Sequence, residues 1–242
     1  MDDKYSVLKK VFGYDGFRPG QAEIVDAALA GRDVLAVMPT GAGKSVCYQV
    51  PALLLPGITI VVSPLISLMK DQVRALNEAG VHAAYSNSSL TEGQIEMAVS
   101  LACRGQYKII YVAPERLMTQ GFLRFAQEQP VSMVTVDEAH CISQWGHDFR
   151  PSYRQIRAFT GQLPARPVVT AFTATATARV RQDIEEQLGL QEPFRLTAGF
   201  DRPNLRLETR RLTESEKPRA LVEFLLEQGE APGIVYCSTV RQ

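Results

Sequence analysis

No excess of either charge marks this 242-residue chain: 26 Lys and Arg face 26 Asp and Glu. Bulk charge therefore gives no pointer to a polyanionic partner, and any grip on nucleic acid must come from a local basic patch. There is no run approaching about eighteen apolar residues, so no membrane span is expected. The first residues, MDDKYSVLKK, are charged and lack the apolar segment of a secretory signal. Cysteine is scarce: Cys47, Cys103, Cys141 and Cys237 lie far apart and form no C-x-x-C pair. That excludes a zinc module or a disulfide framework and leaves reduced thiols packed as small hydrophobes in a cytoplasmic protein. Three histidines without H-x-E or H-E-x-x-H spacing give no reason to expect a transition metal. Internal repeats and low-complexity tracts are lacking too.

What is present is ordinary globular composition, 45% hydrophobic and 21% charged, enough for one large domain or two small ones. Short runs rich in Val and Ile read as strands: Val34 to Met38, Ile58 to Ser63, Val81 to Tyr85, Ile109 to Val112, Met133 to Val136 and Val168 to Phe172. They lack polar alternation, which suits strands covered on both faces. Leu65 to Ala79 carries Leu68, Gln72 and Leu76 at helical spacing, and Asp183 to Leu188 belongs to a helix stopped by Gly189. Strand alternating with helix implies an α/β fold, a parallel sheet with right-handed crossovers flanked by helices. The segment FDRPNL, Phe200 to Leu205, breaks this alternation. After it, Arg206 to Arg211 reads as a strand, Lys217 to Gln228 as a helix and Gly233 to Cys237 as an apolar strand. One β-α-β unit cannot build a sheet, so it reads as the start of a second domain, cut short.

The chemistry begins at Met38-Pro-Thr-Gly-Ala-Gly-Lys-Ser45, which follows the first strand and opens a helix. The phosphate-loop pattern G-x-x-x-x-G-K-[ST] is met except that Met38 stands at the first glycine. Gly41 and Gly43 let backbone N–H groups approach phosphate oxygens beside a helix N-terminus. Lys44 would reach the β- and γ-phosphates, and Ser45 would bind Mg²⁺. A second signal is the apolar strand ending in Asp137-Glu-Ala-His140. Adjacent acids at the end of a buried strand imply a cation or a proton transfer. Asp137 would hold Mg²⁺, and Glu138 would orient and deprotonate the attacking water. Lys44 and Asp137 are expected to meet at the carboxyl edge of adjacent strands, where open α/β sheets bind ligands.

Gly-Lys-Ser together with Asp-Glu-Ala-His resembles the core of superfamily 2 helicases, which implies a RecA-like P-loop NTPase fold and tolerance of a non-glycine at Met38. Phe12-Gly-Tyr-Asp-Gly-Phe-Arg-Pro-Gly-Gln21 narrows the likeness to the RecQ family of DNA helicases. There the resemblance implies that Gln21 reads the adenine edge while Tyr14 and Arg18 sandwich the ring, with Thr40 among the ATP-binding residues. Cys141-Ile-Ser-Gln-Trp-Gly-His-Asp-Phe-Arg-Pro-Ser-Tyr153 is similar to that family's aromatic-rich loop, which couples DNA contact to hydrolysis. Trp145, His147, Phe149 and Arg150, with His140 before them, combine rings and a cation as a single-strand stacking site requires. Ser63-Pro-Leu-Ile-Ser-Leu-Met-Lys-Asp-Gln72 and Ala113-Pro-Glu-Arg116 resemble loops that touch the DNA backbone, which makes Ser63, Ser67, Lys70 and Arg116 phosphate contacts. Phe172-Thr-Ala-Thr-Ala-Thr177 resembles the motif that links the γ-phosphate to DNA, through Thr173 and Thr175. Residues 200–204 resemble the hinge between two lobes.

The resemblance therefore implies a first RecA-like domain over 1–199, a hinge at 200–205 and the beginning of a second RecA-like domain over 206–242. It implies ATP and Mg²⁺ as cofactors, no zinc in this portion, and single-stranded or tailed-duplex DNA as partner. The protein is expected to be a monomer off the membrane, cytoplasmic or, in a bacterium, at the nucleoid. The family's second-lobe arginine finger has no counterpart here, so this portion alone is expected to bind ATP and DNA but to unwind poorly. Two other readings stay open: another superfamily 2 ATPase acting on RNA or chromatin, and a nucleotide-binding module that does not hydrolyse.

Overall fold

A computed structural model describes residues 3–86, 106–199, 205–206, 208–230 and 232–237. The expectation for Cys103 lies outside them, as do those for Phe200 to Asn204. The chain divides into two units, Met1–Phe200 and Asp201–Gln242.

The first unit is built on seven parallel strands: β1 (Val34–Val37), β2 (Ile58–Val62), β3 (Ala83–Ser86), β4 (Ile109–Val112), β5 (Val131–Val136), β6 (Val168–Thr173) and β7 (Phe194–Thr197). Their order across the sheet is β3-β4-β2-β5-β6-β1-β7, and every pairing is parallel. Among the described residues this unit has seven helices: α1 (Lys4–Phe12), α2 (Gln21–Leu29), α3 (Lys44–Leu54), α4 (Ile66–Glu78), α5 (Gln120–Glu128), α6 (Gln155–Gly161) and α7 (Ala178–Leu188).

The apolar strands feed two cores by strict alternation. Ile60, Val62, Ile110, Val112, Val134 and Val136 face one layer with Phe122 and Phe125 of α5, Phe159 of α6 and Ile184 of α7. Val61, Ile109, Tyr111, Met133 and Phe172 face the other with Ile24 of α2, Tyr48 of α3 and Met69 and Leu76 of α4. Because both faces are covered, the sequence shows no polar alternation. This is the RecA-like α/β arrangement.

The lower edge of the sheet is clasped by Asp33, whose side chain is 1% exposed. It accepts from Arg166 at 3.1 and 2.5 Å and from the N–H groups of Val169 and Gln191 at 2.9 and 2.7 Å.

Several sequence expectations move. β3 starts two residues after Val81, because the turn closing α4 consumes the intervening chain: Gly80 has φ +80° and Asn77 brackets Ala83 with two hydrogen bonds. β7 was not foreseen; it is an edge strand whose residues are alternately half-buried and exposed, so it lacks the apolar run of the others. In the second unit the helix α8 (Lys217–Gln228) forms as expected. The described residues of Arg206 to Arg211 and of Gly233 to Cys237 form no strand. They are exposed, and among the described residues no neighbouring strand satisfies their backbone groups.

Candidate functional site

The loop between β1 and α3 takes its shape from glycine. Gly41 and Gly43 have φ +84° and +80°. At Gly43 a Cβ would also stand 2.5 Å from Gln21 Nε2, so backbone and space both require glycine. Met38 needs no such freedom. It is buried, it continues the strand direction with its N–H donating to Thr173 O at 2.9 Å, and its carbonyl accepts from Lys44 Nζ at 3.2 Å. The first glycine of the phosphate-loop pattern is dispensable here for that reason.

Gln21, at the start of α2, is buried and laces the loop from behind. Its Nε2 donates to the carbonyls of Ala42 and Gly43 at 3.0 and 3.2 Å, and its Oε1 accepts from the Arg18 N–H at 2.8 Å. Arg18 Nη1 donates to Gly41 O at 2.6 Å. Tyr14 stands exposed nearby. A cleft of about 390 Å³ is lined by Tyr14, Arg18, Gln21, Thr40, Gly41, Gly43, Lys44, Ser45, Asp137 and Glu138, joined by Gly16, Val46 and Leu68. All ten nucleotide- and metal-site residues expected from the sequence thus share one cavity. Lys44 and Asp137 do not sit on adjacent strands, however: β6 lies between β1 and β5. The phosphate-loop strand and the acidic strand are separated by the strand that carries Thr173.

Asp137 is buried, and its backbone is fixed by Val62 O on one side and by the Tyr153 hydroxyl, which donates to Asp137 O at 2.9 Å, on the other. Its Oδ1 accepts the Glu138 N–H at 3.0 Å. Burial first, and the neighbouring Glu138 charge second, push its carboxyl up from 3.8 to about 6; the Glu138 N–H, Lys44 and the Ser63 hydroxyl pull the other way. Ser63 Oγ is itself buried and makes no hydrogen bond of good geometry. Glu138 is a non-glycine residue at φ 48°, a strained turn that aims its side chain into the cleft opening.

From Glu138 a polar chain crosses to the next strand. His140 Nδ1 lies 3.3 Å from Glu138 Oε2 and 2.8 Å from Thr173 Oγ1, and Thr173 donates to Thr175 O at 3.1 Å. Burial and then His147 hold the His140 imidazole below its ordinary range, so it is neutral near pH 7. The His147 ring stacks on it, centroids 4.1 Å apart. Gly146 passes so close that a Cβ there would collide with the His140 carbonyl.

The rest of the loop is braced by arginines. Arg150 donates to Asp148 Oδ2 at 2.9 and 3.1 Å and to Pro64 O at 3.2 Å, tying the loop to the segment after β2. Trp145 is 58% exposed, with the Arg179 guanidinium 3.3 Å from its ring centroid. Phe149 is half-buried, with Arg154 at 5.1 Å. Ser67 and Lys70 are exposed on α4, Ser63 is buried, and Arg116 is half-buried with its Nε unpartnered. Sequence reading missed Arg179, Arg154 and Tyr153 as participants; only contact geometry reveals them, since no spacing rule singles them out.

The comparisons agree with this geometry. The DEAD/DEAH box helicase family profile matches residues 18–184. The chain is 48% identical over 235 residues to the ATP-dependent DNA helicase RecQ of Haemophilus influenzae, covering 97% of this chain and 37% of that protein. It is 47% identical to the RecQ helicase of Bacillus subtilis, covering 98% and 40%. The chain therefore spans less than half the length of these relatives. Among solved structures, the DUF1998 helicase MrfA superposes with a TM-score of 0.69 at 20% identity, covering 99% of this chain and 39% of that one, which supports the fold alone. With a phosphate loop, an Asp-Glu-Ala-His strand end and a family match over most of its length, the chain belongs to the DEAD/DEAH box helicases.

Proposed function

We propose that this chain is the ATP-binding motor lobe, residues 1–199, and the beginning of the second lobe, residues 206–242 after a hinge at 200–205, of a RecQ-type ATP-dependent DNA helicase moving 3′ to 5′. The observation that carries the reading is the single cleft into which the glycine loop, Lys44, Ser45, Asp137 and Glu138 converge beside Tyr14, Arg18 and Gln21. Relatives named ATP-dependent DNA helicase RecQ support it.

In this reading Tyr14 and Arg18 hold the adenine ring from either side, and Gln21 reads its edge by exchanging the bonds that its amide makes to the Ala42 and Gly43 carbonyls. The loop N–H groups and Lys44 hold the phosphates. Ser45 and Asp137 fit Mg²⁺: both offer hard oxygen donors, and among the described residues no cluster of three His, Cys, Asp or Glu forms an all-protein cage. When bound, Mg²⁺ neutralises phosphate charge. Glu138 orients the attacking water and takes its proton. The Glu138–His140–Thr173 chain passes the state of the cleft to Thr175 and, through the stacked His147, to the aromatic loop at Trp145, Phe149 and Arg150. Ser63, Ser67, Lys70 and Arg116 steady the DNA backbone. The protein works as a monomer on single strands and tailed duplexes in the cytoplasm or at the nucleoid. The chain by itself binds Mg·ATP and single strands and unwinds little.

Steady-state ATP hydrolysis with and without single-stranded DNA tests this, with Glu138→Gln as control and RNA as competitor ligand. Nucleotide binding without robust unwinding of a tailed duplex, and any DNA-stimulated turnover abolished by Glu138→Gln, is the expected result. Preference for RNA, or failure to bind ATP, overturns it.

A further inference from the structure

Two arginines that no motif singles out lie against the rings of the aromatic loop. Arg179, in the first turn of α7, sits 3.3 Å from the centroid of Trp145. Arg154, at the end of the short 3-10 turn Pro151–Arg154, sits 5.1 Å from that of Phe149. Both are exposed. Other arginines of the same unit behave differently. Arg150 is held by Asp148, Arg166 by Asp33 and Arg195 by Glu185. Among the described residues no carboxylate or carbonyl accepts from Arg179 or Arg154, so their guanidinium donors face solvent. The position of Arg179 adds a second oddity. The first turn of α7 holds no acid but does hold Arg179 and Arg181, at the end of a helix whose dipole disfavours cations. Arg181 finds an acceptor in Thr197 Oγ1 at 3.1 Å, whereas Arg179 has only the Trp145 ring against it.

A single-stranded polynucleotide presents a flat base and a phosphate one bond system apart. A ring that is at least partly exposed and a guanidinium lying against it match that pair: the base stacks on the ring, and the fork of N–H donors takes the phosphate. We propose that Arg179 and Arg154 are phosphate-binding residues of the single-strand site, each paired with its ring, Trp145 or Phe149. This deepens the helicase reading and rests on it.

The test uses the intact chain, a labelled oligo(dT) and a salt titration. Trp145 is the single tryptophan, so its emission reports this site alone. On a single strand each lost phosphate contact lowers the slope of log affinity against log salt by about 0.7, which over a fourfold rise in salt shrinks the wild-type advantage about 2.6-fold. Arg179→Ala and Arg154→Ala should each lower the slope by about that much and the double substitution by about twice it, while Arg179→Lys retains the slope. ATP binding stays unchanged in all of them, which also shows that the variants are folded. Quenching of Trp145 by oligo(dT) with unaltered slopes overturns the proposal but leaves the loop as a DNA site. Tighter binding by Arg179→Ala overturns it by showing that the guanidinium competes with the base for the ring. No response of Trp145 to oligo(dT) in any protein overturns both the proposal and the DNA reading of the loop.

Discussion

Replacing Asp137 with Asn should make the nucleotide-free protein more stable while abolishing turnover. The Asp137 carboxyl is pushed from 3.8 to about 6, by burial first and by Glu138 second. A carboxyl raised in this way binds its proton more tightly folded than unfolded. The unfolded chain releases the proton first, so stability falls as pH rises from about 4 to about 6 and stays reduced above that window. A rise from 3.8 to about 6 corresponds to about 3 kcal/mol near pH 8 and roughly half of that near pH 5. Asn fits the same volume, keeps an oxygen for the Glu138 N–H at 3.0 Å and carries no charge at any pH. Urea denaturation in EDTA should therefore show Asp137→Asn more stable than wild type by up to about 3 kcal/mol near pH 8, with the margin narrowing toward pH 5. Equal stability at the higher pH, or a margin that ignores pH, would refute the claim that Asp137 is a desolvated, repelled carboxylate.

Three further experiments probe the same framework. Gly43→Ala forces an L side chain to φ +80° and onto Gln21 Nε2; it should cost about 1–2 kcal/mol of stability and remove the thermal shift on adding ATP. Asp33→Ala strips the acceptor from Arg166 and from two backbone N–H groups; urea denaturation should show a loss of about 3 kcal/mol or more, whereas a loss below about 1 kcal/mol would show the clasp to be incidental. Burial pushes the Cys47 and Cys141 thiols up to about 12. In a Cys103→Ser background, exposed Cys237 should react with a thiol reagent at once and Cys47 and Cys141 only on unfolding; early modification of more than one thiol contradicts the packing.

The fold was legible because its strands are buried on both faces. Runs such as Ile58–Val62 and Ile109–Val112 can be little else once flanked by amphipathic helices. β7 escaped because an edge strand half open to solvent has no apolar run, and its identity rests on pairing with β1. The glycine loop and the acidic strand end were readable as chemistry, since few structural needs place those residues there. Their relation was not. The crossover that puts β6 between β1 and β5 is a property of long-range pairing. The described residues of Arg206 to Arg211 and of Gly233 to Cys237 show the reverse: local strand preference without a partner strand among the described residues gives no strand. Arg179 and Arg154 were invisible because an arginine on a helix reads as a solvated charge until a ring is found against it.

Two buried aspartates in one sheet show how structure and function can be told apart. Asp33, at the lower edge, accepts from four N–H donors, two of them on a guanidinium, so its charge is fully matched within the protein. Nothing further needs to bind it, and its removal should be felt as lost stability alone. Asp137, at the opposite edge, accepts among the described residues one N–H of good geometry, from its own neighbour. It lies beside the like charge of Glu138 and beside a Ser63 hydroxyl that makes no hydrogen bond of good geometry. Buried polar groups left this way cost stability, and a fold retains them only where an outside group completes them. The carboxyl edge gathers such groups together: Asp137, Ser63 and the strained Glu138. The same edge carries the glycine loop. The incomplete aspartate thus has the unmatched charge that the proposed Mg²⁺ and phosphate site calls for, and the complete one marks where the sheet is simply held together.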